Sequence, residues 1–302
     1  MRRLAVVALA LGFLGLSFSA KADEKCRLVR VAALDMGSDA TRITVPASIG
    51  GQPLTMMVDT GGIYTMLLES RAKALGAFVD VEPSSGLSMY GGHMIRHFAK
   101  ISGFTLGRMK APALPYPLLP DGALPPGVDG LLSPDFLANF DVDFDFVNAK
   151  LNLFSRDHCE GKVVYWTHDP VAVIPFERNE VNDIEIRVQL DGQDVKALID
   201  TGGDHSVMSL ESAEGLFDLK EDALKRVPGP NGTHGARRYP FKQLSFANVT
   251  VSNPDITLVP DRESQTGPRG PELIIGMSIL RQLHLYIAYG EKKLYLSAAS
   301  AH

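Results

Sequence analysis

The chain has 302 residues, of which 45% are hydrophobic and 22% are charged, and its formal net charge is −5. This composition excludes disordered, collagen-like and coiled-coil proteins and leaves one or two soluble globular domains open. The 30 basic residues are outnumbered by 35 acidic residues and form no long basic run, so we expect no nucleic-acid partner. The 28 glycines and 19 prolines indicate a turn-rich chain that is mostly β.

Residues 1–22 have the pattern of a secretory signal peptide. Arg2 and Arg3 precede an apolar run over residues 4–18, which Ala20-Lys21-Ala22 follows. We expect cleavage after Ala22, and an uncleaved membrane anchor is the alternative. Cleavage would remove three basic residues and no acidic one, so the net charge would change from −5 to −8. The mature chain would then have no membrane span, and the short signal favours a bacterial periplasm, with secretion as the alternative.

The chain has only two cysteines, Cys26 and Cys159, and both follow the predicted cleavage site. In an oxidising compartment two cysteines most simply form one disulfide, although two buried free thiols are the alternative. Two cysteines are too few for a cysteine-based zinc site, and no histidine spacing typical of zinc ligands occurs.

An internal repeat organises the chain. Residues 51–62 read GQPLTMMVDTGG and residues 192–203 read GQDVKALIDTGG. In each copy an apolar run ends in Asp-Thr-Gly-Gly, which predicts a buried strand that leads into a tight turn. A short helix is predicted after each turn, at residues 68–76 and 210–217.

The copies also resemble each other at their far ends. Residues 130–137 read GLLSPDFL and residues 273–280 read LIIGMSIL. The segments that follow in the chain, residues 140–154 and 283–297, alternate apolar and polar side chains. The alternation is interrupted once in each segment, which predicts a β-hairpin in each copy. We therefore expect two similar β-rich units.

The repeat predicts the domain boundaries. After the signal peptide, we assign residues 23–155 to an N-terminal lobe and residues 171–302 to a C-terminal lobe. Residues 156–170 form a polar connector between the two lobes.

A duplicated unit brings its equivalent turns together across a pseudo-two-fold axis, which places Asp59 beside Asp200. A single Asp-Thr-Gly is weak evidence for a catalytic site, because the same motif also occurs at ordinary hairpin corners. Two copies at equivalent places in a repeat are much stronger evidence. Two carboxylates in contact cannot both ionise easily, so they share a proton. Such a pair supports general acid–base hydrolysis of an amide.

The residues beside each aspartate have physical roles in this interpretation. Gly61 and Gly202 let the turns bend and bring backbone N–H groups toward the carboxylates. Thr60 and Thr201 hydrogen-bond across the axis in this hypothesis, and a hydroxyl satisfied within its own turn is the alternative.

With these motifs the chain resembles the aspartic protease family in its two-lobed, single-chain form, and each half resembles the retroviral-type (retropepsin-like) unit. The resemblance covers roughly residues 35–298. In this family an apolar-apolar-Gly segment threads beneath each Asp-Thr-Gly turn. Ile274-Ile275-Gly276 matches that segment, whereas Leu131-Leu132-Ser133 has serine in place of glycine.

The resemblance implies a mostly β fold of two β-barrel-like lobes with short helices. It also implies an aspartic endopeptidase in which the Asp59/Asp200 dyad activates a water, without any metal or organic cofactor. The partner would be a peptide or protein substrate, and we expect a monomer. The alternative is a catalytically inactive, protease-like periplasmic protein that binds peptides or proteins, and Ser133 keeps that alternative open.

The family further implies a β-hairpin flap over the substrate. Tyr90 and Gly91 fall where such a flap is expected, 31 residues after Asp59 in the case of Tyr90. An ordinary turn with an exposed tyrosine is the alternative. Residues 231–235 of the second half are also turn-rich.

Gly62 and Gly203 follow the two Asp-Thr-Gly turns, where the family usually has serine, threonine or alanine. A hydroxyl there would hydrogen-bond the carboxylate and favour its ionised form. Since glycine lacks it, we expect the dyad to titrate higher and activity to reach mildly acidic or neutral pH.

Two further segments are interpreted as structural. Asp141-x-Asp143-x-Asp145 imitates a calcium loop but lacks its glycine and its glutamate, so we expect a strand with an acidic face toward water. Residues 111–127 hold six prolines, which predicts a stiff extended loop, either at the rim of the substrate cleft or as a rigid surface connection.

Overall fold

The structure is a computed structural model. It describes residues 26–37, 41–81, 87–88, 94–179, 182–220, 222, 224–261 and 270–299. The predicted signal peptide, residues 1–22, and the flap candidates Tyr90 and Gly91 lie outside the described residues. Within the described ranges, no helix is long and apolar enough to cross a membrane.

The described part of the chain consists mainly of short strands. In chain order they are β1 Arg30–Asp35, β2 Thr44–Ile49, β3 Gln52–Val58, β4 Met66–Leu68, β5 Val79–Val81, β6 Leu87–Ser88, β7 Met94–Ile95, β8 His97–Ile101, β9 Phe104–Leu106, β10 Met109–Lys110, β11 Leu114–Leu119, β12 Gly130–Leu132, β13 Asp141–Asp145, β14 Lys150–Phe154, β15 Ala172–Pro175, β16 Glu177–Arg178, β17 Ile184–Leu190, β18 Gln193–Ile199, β19 Ser206–Ser209, β20 Lys225–Arg226, β21 Arg237–Arg238, β22 Gln243–Phe246, β23 Val249–Ser252, β24 Ile256–Val259, β25 Leu273–Ile275, β26 Leu283–Ala288 and β27 Lys293–Ala298. The helices are α1 Glu69–Ala74, α2 Pro134–Leu137, α3 Leu210–Phe217, α4 Met277–Leu280 and a 3-10 helix at Pro230–Gly232.

The two halves of the chain build the same sheet. In the first half the strand order is β10-β9-β2-β3-β12-β4-β11-β8-β5, and in the second it is β23-β22-β17-β18-β25-β19-β24-β21-β20. In both sheets the strand before Asp-Thr-Gly runs antiparallel to its predecessor and parallel to the strand of the apolar segment. The expected fold class, mostly β with two similar lobes and short helices, is confirmed.

A six-stranded sheet joins the halves. Its order is β1-β14-β13-β26-β27-β15, so three strands come from each half and the seam is the antiparallel pair β13–β26. The predicted hairpins over residues 140–154 and 283–297 are confirmed as β13–β14 and β26–β27. At the seam Val142 pairs with Ile287, Asp143 with Tyr286 and Phe144 with Leu285. These pairs are symmetric about Asp143 and Tyr286, which occupy equivalent positions in the repeat, so the pseudo-two-fold axis passes between them.

The prediction that the acidic face of β13 meets water is wrong for Asp141 and Asp143, both of which are fully buried. Asp143 pairs with His284 at 2.6 Å and accepts a hydrogen bond from the Tyr165 hydroxyl at 2.6 Å. Asp141 pairs with His158 at 2.5 Å. Buried carboxylates need such partners because an unpaired charge is costly to remove from water.

Residues of the connector cover this face of the sheet. The Trp166 ring stacks on the His284 ring with centroids 4.4 Å apart, and Tyr165 lies edge-on to Trp166. Alternation along β13 identifies a polar face, but the groups that cover it come from residues 156–170 and from the second half. The sequence pattern of the strand alone therefore contains no sign of its burial.

The proline-rich segment is not wholly the extended loop that was predicted, because residues 114–119 form strand β11 inside the first sheet. Leu118 and Leu119 pair with β4, whereas Pro115 and Pro117 pair only with β8. Proline cannot donate a hydrogen bond, so it is tolerated in a strand where one neighbour is absent.

Cys26 and Cys159 form a disulfide that links residues 133 positions apart. The bond ties the segment before β1 to the segment after β14. Because it closes a long loop in the unfolded chain, its main contribution is to reduce the conformational entropy of that chain.

We expect the double variant Cys26→Ser/Cys159→Ser to lose about 4 kcal/mol of unfolding free energy, through the larger entropy of its unfolded state. Denaturant unfolding of the two proteins measures the difference. A reducing agent should destabilise the original protein and leave the double variant unchanged. Equal unfolding free energies of the original protein and the double variant, both measured without reducing agent, would contradict the prediction.

Candidate active site

Each Asp-Thr-Gly turn is held in place by the strand that threads beneath it. β3 ends at Val58, and the Asp59 backbone N–H donates to the Leu132 carbonyl at 3.0 Å. In the second half β18 ends at Ile199, and the Asp200 N–H donates to the Ile275 carbonyl at 3.0 Å. These bonds extend the parallel pairs β3–β12 and β18–β25 by one residue and fix the start of each turn.

The two turns are joined to each other by four reciprocal hydrogen bonds. The Thr60 hydroxyl donates to the Ile199 carbonyl at 2.8 Å, and the Thr201 hydroxyl donates to the Val58 carbonyl at 2.9 Å. Each hydroxyl also accepts the backbone N–H of the opposite threonine, at 3.2 Å from Thr60 and 3.0 Å from Thr201. Both threonines are fully buried. The hydroxyls therefore bond across the axis rather than within their own turns.

The interlocked turns bring the two carboxylates together. The Gly61 N–H donates to Asp59 Oδ1 at 3.1 Å, and the Gly202 N–H donates to Asp200 Oδ1 at 2.8 Å. The carboxyl groups of Asp59 and Asp200 are close enough to share a hydrogen bond.

Gly61 and Gly202 permit this contact because neither has a side chain. A Cβ atom at Gly61 would lie 2.7 Å from Asp200 Cγ, and one at Gly202 would lie 2.4 Å from Asp59 Oδ1. Each glycine thus packs against the carboxylate of the opposite lobe.

Burial makes both acids harder to ionise, and at Asp59 the charge of Asp200 adds to this effect. The pKa of Asp59 is raised well above its ordinary value, first by burial, then by the charge of Asp200 and their shared hydrogen bond. Burial also raises the pKa of Asp200, against the opposing effect of the Gly202 N–H. A pair in this state holds one proton between two carboxylates over a range of pH.

A third acid, Asp183, lies near the dyad, and the sequence pattern does not predict it. Asp183, just before β17, is buried, and its Oδ2 accepts a hydrogen bond from the Asn179 amide at 2.9 Å. Its pKa is raised by burial, and the charge of Asp200 adds to this effect. The repeat contains no signal for Asp183, because the equivalent residue of the first half is Arg42.

The structure describes only the base of the predicted flap. β6 and β7 pair antiparallel, but residues 89–93 between them, including Tyr90 and Gly91, lie outside the described residues. In the second half β20 and β21 pair antiparallel on either side of the turn-rich residues 231–235. Among the described residues, no group of three or more His, Cys, Asp or Glu side chains is arranged to hold a metal ion.

Comparison with known proteins agrees with the duplicated site. A family model described as aspartyl protease matches the chain twice, over residues 45–136 and 186–279. The chain belongs to the aspartyl protease family. Each match contains one Asp-Thr-Gly turn and the segment that threads beneath it. No curated protein sequence matches the chain.

Solved structures share the fold of this family member at low sequence identity. The aspartic proteinase from Irpex lacteus has a TM-score of 0.56 and 14% identity over 89% of this chain and 97% of its own. Basic 7S globulin from soybean has a TM-score of 0.52 and 12% identity over 91% of this chain and 96% of its own. At these identities the likeness concerns the fold alone.

We expect Thr60→Val to lose about 2–4 kcal/mol of unfolding free energy, because the buried Ile199 carbonyl and Thr201 N–H both lose their partner. Thr60→Ser is the matched control, since it keeps the hydroxyl and should lose about 1 kcal/mol or less. Urea unfolding measures both variants. Equal losses for valine and serine would show that the hydroxyl does not hold the turns together.

Proposed function

We propose that the protein is an aspartic endopeptidase that hydrolyses peptide bonds with a water activated by Asp59 and Asp200. One observation carries the proposal: two Asp-Thr-Gly turns, one from each lobe, are interlocked so that their carboxylates share a hydrogen bond. A protein that only binds peptides has no need for two adjacent acids, each with a raised pKa. Family membership and the fold support the same proposal.

The chemistry follows from the shared proton. The ionised carboxylate accepts a proton from the water as the water oxygen attacks the carbonyl carbon, and the protonated carboxyl donates its proton to the carbonyl oxygen. The carboxyl that took the proton from the water then donates it to the amide nitrogen, and the C–N bond of the tetrahedral diol breaks. One diol hydroxyl gives its proton to the other carboxylate as the product carboxyl group forms, which returns the dyad to its starting state. Residues of both lobes are required, so neither lobe alone would be catalytic.

The protein would be exported and would act on a peptide or protein substrate. The signal-like residues 1–22 support export to the periplasm or outside the cell, with cleavage after Ala22. The substrate would be an extended segment of a peptide or protein that adds strand-like hydrogen bonds beneath a flap carrying Tyr90 and Gly91. The enzyme would act as a monomer, since one chain supplies both halves of the site.

We expect Asp59→Asn and Asp200→Asn each to lower kcat by about 10³-fold or more, because the pair acts as a unit. Cleavage of a mixed peptide library, read by mass spectrometry, measures the loss. Asp194→Asn is the matched control, since Asp194 is an exposed acid on β18, the same strand that leads to Asp200. This variant should cut as well as the original protein.

The same library tests the alternative function. One structural neighbour is named a proteinase and the other a globulin, so the fold alone does not decide between hydrolysis and binding. If the original protein cuts nothing over a broad pH range and does not bind a transition-state analogue of aspartic proteases, a peptide- or protein-binding function replaces the proposal.

We expect a bell-shaped pH profile of kcat/KM with its maximum at mildly acidic pH, above about 4, the pKa of an ordinary aspartate. Activity requires one ionised and one protonated carboxyl. It falls at low pH when the second proton binds, and at high pH when the last proton leaves. Since burial raises both pKa values, both limbs move to higher pH.

Rates measured from about pH 2 to about pH 9 give the two limbs, and the fitted values belong to the pair rather than to either residue. Activity confined to strongly acidic solution would contradict this prediction.

A further inference from the structure

The two lobes differ at one position directly beneath the dyad. Ser133 follows β12 in the first lobe, and Gly276 follows β25 in the second. Their backbones are held alike, because the Ser133 N–H donates to Thr65 Oγ1 at 3.2 Å and the Gly276 N–H donates to Ser206 Oγ at 3.0 Å. Thr65 and Ser206 are equivalent in the repeat. At this position the two lobes therefore differ by a single added side chain.

The first lobe has room for that side chain and the second does not. A Cβ atom on Gly276 would lie 2.2 Å from the His205 carbonyl oxygen and 2.7 Å from that of Gly203. The Met277 N–H holds the Gly203 carbonyl there with a 2.8 Å hydrogen bond. The residue equivalent to Met277 is Pro134, which has no N–H to donate, so the first lobe lacks this tie.

The Ser133 hydroxyl lies next to the position where the family usually has a hydroxyl and this chain has Gly62. A Cβ atom built on Gly62 would lie 2.6 Å from Ser133 Oγ and 2.7 Å from Asp59 Oδ2. Both atoms thus lie within 3 Å of one point. Asp59 Oδ2 is the outer oxygen of the dyad, since Oδ1 is the one against Gly202.

The hydroxyl has no other use among the described residues. Ser133 is fully buried, and its Oγ has no hydrogen-bond partner there. A buried hydroxyl is almost always paired, and the nearby strong acceptor is the Asp59 carboxylate. A side-chain rotation, or one water between the two oxygen atoms, completes the bond.

We propose that Ser133 is a positioning residue of the dyad. Its hydroxyl donates a hydrogen bond to the outer carboxylate oxygen of Asp59 and so replaces the hydroxyl that the family usually has at position 62. The role of this bond in catalysis rests on the proposed function. In the second lobe Gly203 and Gly276 both lack a hydroxyl, so Asp200 has no equivalent donor from these positions. The bond stabilises ionised Asp59 and makes the two acids chemically unequal.

The hydroxyl should lower the pH range over which the pair titrates. Removing it in Ser133→Ala should shift the kcat/KM profile upward by about one pH unit, whichever acid holds the shared proton. Carbon-13 NMR of aspartate-labelled protein follows the carboxyl titrations directly and should show the same upward shift.

A second variant moves the hydroxyl back. In Ser133→Gly/Gly62→Ser the first lobe has the usual arrangement of the family, and the titration should return toward that of the original protein. Gly62→Ser alone should be destabilised more than the double variant, because its Cβ would clash with Ser133 Oγ as well as with Asp59 Oδ2.

The readouts separate the two proposals. If the original protein cleaves no peptide, the proposed function fails, but the NMR titrations still test Ser133. If Ser133→Ala alters only the unfolding free energy and leaves both the titration and the pH profile unchanged, Ser133 is a structural residue and the inference is overturned. An unchanged titration in Ser133→Ala is decisive even if the double variant does not fold.

Discussion

The reciprocal hydrogen bonds of Thr60 and Thr201 are the interaction on which the site depends. Two acids placed side by side repel each other when both are ionised, and in that state nothing in the carboxylates themselves would keep them in contact. The threonine hydroxyls and backbone N–H groups supply a neutral attachment between the turns, in a buried place where no water competes. Since each bond crosses from one lobe to the other, the carboxylate separation is set by the packing of two whole sheets. The sharing of a proton by the dyad therefore depends on the packing of both lobes and on the contact between their turns.

Much of this arrangement could be predicted from the sequence because it is local and duplicated. Asp-Thr-Gly after an apolar strand specifies a turn, and its second copy specifies that the turn has a partner. The helices after each turn and the hairpins at the far end of each half follow from periodicity in the same way. The repeat also implied that Asp59 and Asp200 meet, since the equivalent turns of a duplicated unit can face each other across a pseudo-two-fold axis, as they do in the family that the chain resembles.

The features that could not be predicted depend on contacts between distant segments. Asp141 and Asp143 have the alternation of a solvent-facing strand, yet His158, Tyr165 and His284 reach them from the connector and the other half. Ser133 departs from the family pattern, and only the positions of Gly62 and Asp59 around it suggest a use for its hydroxyl. Pro115 and Pro117 suggested a loop because strand propensity contains no information on which neighbours are absent.

The axis between Asp143 and Tyr286 has a consequence for how such a chain can evolve. In a dimer of identical subunits, a residue on the two-fold axis faces its own copy, so a buried acid there would face another buried acid. In this chain the equivalent positions are encoded separately, and an acid faces a tyrosine instead. The same freedom applies to Ser133 and Gly276, whose difference no symmetric dimer could maintain. Fusion of two copies into one chain thus allows each side of a shared site to mutate without imposing the change on the other.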